Sequence, residues 1–175
     1  MKTPELLACF HLRATPRPWQ RDHWRVRYNM NIAAALAALP HGLSFRFVDT
    51  LTSLIPGQSG TATYQVRGDE AFLDGHFPGQ PLMPGVILIE AVAQLGGVVA
   101  QSHPDIPKLS DIKLTAVRGA KITGSAVPGE TLIIRAEVVG RMGGLVQVQG
   151  DVKVGERVIL TAQITLSGTL GDDSF

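Results

Sequence analysis

Two titratable residues stand out for their surroundings. His76 lies in the turn-rich run "DGHFPGQPLMPG", residues 74–85, which holds two Pro-Gly pairs. Glu90 follows fourteen residues later, inside the apolar run "VILIEAVAQLGGVVA", residues 86–100. Each has an ordinary use on its own: a histidine on a surface loop, a glutamate at a helix edge paired with a base. Together they are harder to set aside, because no Lys or Arg falls between Arg67 and Lys108 to pair with Glu90 locally. A buried carboxylate without a partner costs several kcal/mol, or takes up a proton. A protonated carboxyl is a usable general acid, and an imidazole with an ordinary pKa of about 6.5 is a usable base. Gly85 opens the apolar run. The first N–H groups of a helix lack internal partners and sit at its positive end, and a residue without a side chain lets a carbonyl approach. Base, acid and oxyanion site suit proton removal beside a carbonyl, then loss of a hydroxyl one carbon further on. That is dehydration of a 3-hydroxyacyl compound to a 2-enoyl compound. The apolar helix would line a tunnel for the acyl chain.

These residues need elements to hold them. From Gly85 to Ala100 the spacing predicts a helix, with Leu88, Ala91, Val92, Leu95, Val98 and Val99 on one face. Ile87, Ala93, Gly97 and Ala100 make the other face apolar too, so the helix must be covered all round. Asn31 to Leu39 reads as a short helix, capped by Asn31, with Ile32, Leu36 and Leu39 on one face and Pro40 as its stop. "LSFRFVDTL" (43–51) alternates imperfectly as a strand, and "GTATYQV" (60–66) follows the Pro56-Gly57 turn as a second. After the helix come four strand-length runs, "SDIKLTAV", "TLIIRAEVVG", "LVQVQGDVKV" and "RVILTAQITLSG". "GRMGG" and "GE" between the last three are hairpin turns. The expected fold class is α+β: a curved antiparallel sheet wrapped around one long central helix.

The 175 residues suit a single domain with a real core. With 45% hydrophobic and 18% charged residues, the chain is a folded protein rather than a disordered one. Residues 1–31 carry six basic and two acidic side chains, a net of +4, against −3 for the remainder. We therefore expect a flexible basic extension over 1–30, one domain over 31–170 and a tail over 171–175. A basic arm touching nucleic acid is the rival for the extension, but no nucleic-acid-binding motif accompanies the charge. Cys9 is the only cysteine, which excludes an intrachain disulfide and a Cys-rich metal site. No secretory signal or spanning segment is convincing, so a cytoplasmic protein without membrane insertion is expected.

The run "GHFPGQPLMPGVILIEAVAQLGG" closely resembles the signature of the FabZ-type 3-hydroxyacyl-[acyl-carrier-protein] dehydratases, a hot-dog-fold family, over about twenty residues without a gap. Weaker similarity extends from about Leu39, through "LPH" (39–41), "FVD" (47–49) and "AVPGETL" (126–132). Residues 1–30 have no counterpart. The resemblance implies that His76 and Glu90 are the catalytic pair, supplied to each site by different subunits of a homodimer, alone or three to a hexamer. It implies that the Gly85 N–H binds the thioester carbonyl, that Gln94 supports Glu90, and that Phe77, Pro84 and Val86 complete the substrate-binding set. It implies acyl carrier protein as partner and no cofactor or metal. The related FabA type, which also isomerises its product, has Asp where this chain has Glu90, which favours plain dehydration.

The chain departs from the family pattern near the tunnel mouth. Gly42, Leu43, Ser44 and Phe45 replace Arg-Tyr-Pro-Phe, Thr50 replaces an Arg, and Ile122, Thr123, Gly124 and Ser125 replace Phe-Arg-Arg-Pro. Basic residues there would steer an acidic carrier protein. Lys121 and Arg118 are the nearby substitutes. The chemistry is kept while the docking surface changes, which suits polyketide or aryl-polyene synthesis as well as fatty acid synthesis. An acyl thioesterase on the same fold, or an acyl-binding partner subunit without activity, are the other readings.

Overall fold

The valine-rich runs late in the chain pair with one another and build most of the sheet. The computed structural model describes residues 32–37 and 39–170. The expected Asn31 cap, the 1–30 extension and the 171–175 tail lie outside the described residues. The strands are β1 (Thr50–Ile55), β2 (Ser59–Gln65), β3 (Leu109–Ile122), β4 (Thr131–Met142), β5 (Leu145–Val154) and β6 (Arg157–Leu170). All pairs are antiparallel, in the order β1-β2-β4-β5-β6-β3. Alternation sets the register: Val146, Val148 and Val152 of β5 turn inward while Gln147 and Gln149 face out. The two expected hairpins turn at Gly143 and Gly155, with φ of 54° and 55°, where a side chain would be strained.

Helix α1 spans Ile32–Ala37 and packs on β1. It stops before Leu39, which is buried beyond its end. Helix α2 spans Gly85–Gln101 and packs against β2 to β6. Most of its apolar surround is covered: Leu88, Ala91, Val92, Ala93, Gln94, Leu95, Gly96, Val98, Val99 and Ala100 are buried, while Ile87 and Gly97, expected to be covered as well, are half-buried. The sheet makes room with a row of small residues. Gly60, Ala136, Gly150, Ala162 and Ala120 pair across five strands in register. A methyl at Gly60 would meet Val99, and one at Gly150 would meet Val92. On the helix side, Gly96 faces Val148. Helix and sheet therefore touch with almost nothing between them. The helix ends where Ser102 Oγ donates to the Val99 carbonyl at 2.7 Å, and Gln101 then exchanges two hydrogen bonds with the Leu109 backbone at the start of β3.

One expected strand is displaced. Residues 43–45 form a 3-10 turn, and β1 begins only at Thr50. The backbone of Phe45 and Phe47 is committed elsewhere: the Gln94 side chain donates to the Phe45 carbonyl and accepts the Phe47 N–H. Among the described residues no helix is long and apolar enough to cross a membrane.

Candidate active site

The loop before α2 is shaped around His76. Glu70 anchors its start, with its carboxylate accepting from the Tyr64 hydroxyl at 2.8 Å and the Arg67 and Gly68 N–H groups at 2.9 and 2.7 Å. Burial pushes the Glu70 carboxyl up, but these donors outweigh it and hold the group below the usual carboxylate range. Burial, then the bond to Glu70, pushes the Tyr64 hydroxyl well up. A short 3-10 turn (Ala71–Leu73) follows, and the His76 N–H closes on the Leu73 carbonyl. His76 Nδ1 lies 2.9 Å from the Leu82 carbonyl. A carbonyl can only accept, so Nδ1 carries the hydrogen and Nε2 keeps its lone pair. The ring is thus set as a base. Phe77 lies against it, rings tilted by 58° with centroids 4.4 Å apart, from a backbone φ of 61° that is costly for a bulky residue. Met83 donates to the Ala126 carbonyl and fixes the approach to Pro84.

Pro84 caps α2. Its carbonyl accepts from Ile87 and Leu88, while the N–H groups of Gly85 and Val86 have no acceptor among the described residues. Val86 is exposed and Gly85 half-buried. A methyl on Gly85 would strike the Ile122 side chain at the end of β3, so glycine here keeps both the N–H open and the helix close to β3.

Glu90 lies on the second turn of the helix. Its side chain is 20% exposed, where the sequence suggested full burial. Gln94, itself buried, donates to Glu90 Oε1 at 3.1 Å. The same amide is locked by Phe45 and Phe47 at 2.8 and 2.9 Å, so the carboxylate is held by a side chain with no freedom of its own. His41 Nε2 lies 3.4 Å from the same oxygen. This is the partner that a search for Lys or Arg missed. The sequence placed His41 within "LPH" without giving it a role, and its only signal was a second histidine in a segment already similar to the family.

The structure gathers Glu90, Gln94 and His41 in one cluster, and His76, Phe77 and the Gly85 end of α2 along one loop. No hydrogen bond or ion pair joins His76 to Glu90 among the described residues. Lys121 faces outward from β3, in register with Thr161, Asp151 and Arg135 on an open polar groove, next to the Ile122 that covers Gly85. Arg118 sits at a β3 bulge and donates to Thr165 Oγ1 at 3.4 Å. Among the described residues no three His, Cys, Asp or Glu side chains converge to hold a metal. An imidazole with a free Nε2 lone pair, a mostly buried carboxyl and open N–H groups at a helix start can move a proton from carbon and protonate a leaving oxygen.

Known proteins resemble this chain in sequence and fold. The FabA-like domain family matches residues 39–163. The 3-hydroxyacyl-[acyl-carrier-protein] dehydratase FabZ of Myxococcus xanthus is 38% identical over 131 residues, 74% of this chain and 86% of that protein. The protein of the same name from Thiobacillus denitrificans is 33% identical over 145 residues, 82% and 99% of the two chains. Among solved structures, a chain of the dehydratase heterocomplex ApeI:P from Xenorhabdus doucetiae has the same fold, with TM-score 0.67 at 15% identity, covering 81% of this chain and 93% of that one.

Proposed function

Because the chain belongs to the FabA-like domain family, together with the FabZ-type dehydratases, we infer a hydro-lyase that converts a 3-hydroxyacyl thioester on acyl carrier protein to the 2-enoyl thioester. The fixed tautomer of His76 carries the reading best. Its Nε2 takes a proton from C2, and the electron pair moves toward the thioester carbonyl. The Gly85 N–H stabilises the oxyanion, with the positive end of α2 behind it. The pair then forms the C2=C3 bond, the C3–O bond breaks, and the departing hydroxyl takes a proton from Glu90 and leaves as water. Proton exchange with solvent resets both groups. Pro84, Val86 and Phe77 border the path of the thioester. Lys121 and Arg118, two of the three basic residues of β3, are available to an acidic carrier.

Each complete site draws His76 and Glu90 from two copies of the chain. Two observations support this. The residues do not meet within one copy among the described residues. The β3 edge of the sheet is long and exposes Val117 and Ile122, an edge that pairing with a second copy would cover. Residues 31–170 constitute this domain, and 1–30 are an extension to it.

The test follows enoyl formation from a 3-hydroxyacyl thioester on acyl carrier protein, with a saturated acyl thioester alongside. His76→Ala and Glu90→Gln should each lose about 10²–10⁴-fold in rate. Mixing the two inactive variants under conditions that exchange subunits should restore about a quarter of wild-type activity. Half the dimers are then mixed, and one of the two sites in each is intact. No recovery would refute the shared site. Full activity in either variant would refute the assignment, and thiol release from the saturated substrate would favour a thioesterase.

A further inference from the structure

Both described contacts of the Glu90 carboxylate go to one oxygen. Gln94 Nε2 donates to Oε1 at 3.1 Å, and His41 Nε2 lies 3.4 Å from it. Oε2 has no partner among the described residues. We propose that His41 is a positioning residue for the dehydration. With Gln94 it occupies Oε1, and so makes Oε2 the oxygen that holds the proton and delivers it. This rests on the reading of Glu90 as the acid.

The surroundings of His41 favour this role. Its Nδ1 is buried and has no partner among the described residues, so a hydrogen there would find no acceptor among them. The neutral ring therefore carries its hydrogen on Nε2, directed at Glu90. The loop is fixed from behind: Arg46 Nη2 donates to the His41 carbonyl at 3.1 Å and to the Leu39 carbonyl at 3.3 Å. The Phe45 ring lies 6.2 Å from the imidazole, centroid to centroid, and the Phe45 carbonyl is held by Gln94. His41 and Gln94 are thus set by one continuous segment, Leu39 to Phe47, and they approach the carboxyl together. A carboxyl oxygen facing two N–H donors is a poor place for a proton, so the neutral acid carries it on Oε2. Once the proton has left, the same two donors stabilise the charge on Oε1. At 3.4 Å the His41 contact is long, and such contacts commonly tighten when substrate binds.

The experiment measures kcat and KM on a 3-hydroxyacyl thioester bound to acyl carrier protein, for wild type, His41→Phe, His41→Gln, Glu90→Gln and the double variant His41→Phe/Glu90→Gln. In His41→Phe, kcat should fall about 10- to 100-fold, the worth of a hydrogen bond to a charged group, with KM nearly unchanged. His41→Gln, whose amide can reach Glu90, should recover most of that loss. In the Glu90→Gln background, His41→Phe should cost nothing more. A merely structural role would lower both backgrounds by the same factor and would not be rescued by Gln; that result, or wild-type kcat in His41→Phe, overturns the proposal. If His41→Phe does not fold, His41→Leu carries the same comparison. Absence of turnover in the wild type would sink the dehydratase reading itself, whereas wild-type turnover with an indifferent His41 would sink only the positioning role.

Discussion

At the scale of single residues, the site is made by fixing hydrogens rather than by charge. The Leu82 carbonyl decides which nitrogen of His76 is basic, and the pinned amide of Gln94 decides how Glu90 points. Phe77 shows what this fixing costs. Its left-handed backbone is disfavoured by about 1–2 kcal/mol for a residue with a Cβ, and the residue is 57% exposed, so burial returns little. What the ring does is lie against His76. Phe77→Gly should therefore melt at the same temperature or higher while losing turnover, as seen by thermal denaturation and enoyl formation on the same samples. A variant that kept full turnover would show that the adjacent ring does not position the imidazole. His76, Glu90 and Gln94 were legible in the sequence because one gapless run sets their spacing. His41 was not, since it acts on a residue 49 positions away, through a loop with no period to read.

The elements that carry these residues differ in how openly the sequence declares them. Helix α2 announced itself through an apolar run with no polar face, and the three C-terminal strands through alternation and glycine turns. The strand expected at 43–51 was misplaced because a side chain, Gln94, takes the backbone partners that a neighbouring strand would have taken. No local pattern records such a claim. The loop from Val66 to Glu70 is another element defined by a side chain, and it answers to pH. Glu70 is held below its unfolded pKa, so its stabilising contribution is complete above the unfolded value and is lost as pH falls through the folded value. Wild type should accordingly melt higher than Glu70→Gln at about pH 6, with the difference closing toward about pH 3. A gap that stayed constant with pH would mean that the charge on Glu70 contributes nothing. Because this loop leads directly into the His76 segment, turnover should weaken over the same acid range.

For the whole molecule, the strand order carries a consequence for time. Strands β4, β5 and β6 are consecutive in the chain and joined by tight glycine turns, so their contacts are local. Strand β2 reaches β4 across 66 positions, as in the Thr131–Gln65 bond, and β3 reaches β6 across 59, as in Ser110–Thr169. Helix α2 lies in the chain between β2 and β4, ahead of both members of the β3–β6 pair. Closing long loops costs entropy before any contact repays it, so the three-stranded meander should assemble first and the helix should be seated on it late. Stopped-flow kinetics can separate the stages. Val148→Ala, buried in the meander, should slow refolding, whereas Gln94→Ala should leave refolding alone and hasten unfolding. The reverse assignment would mean that the helix nucleates the fold. With the expected order, the segment bearing Glu90 is made well before the meander on a growing chain yet must wait for it, and until then its apolar surface is exposed to every other chain nearby.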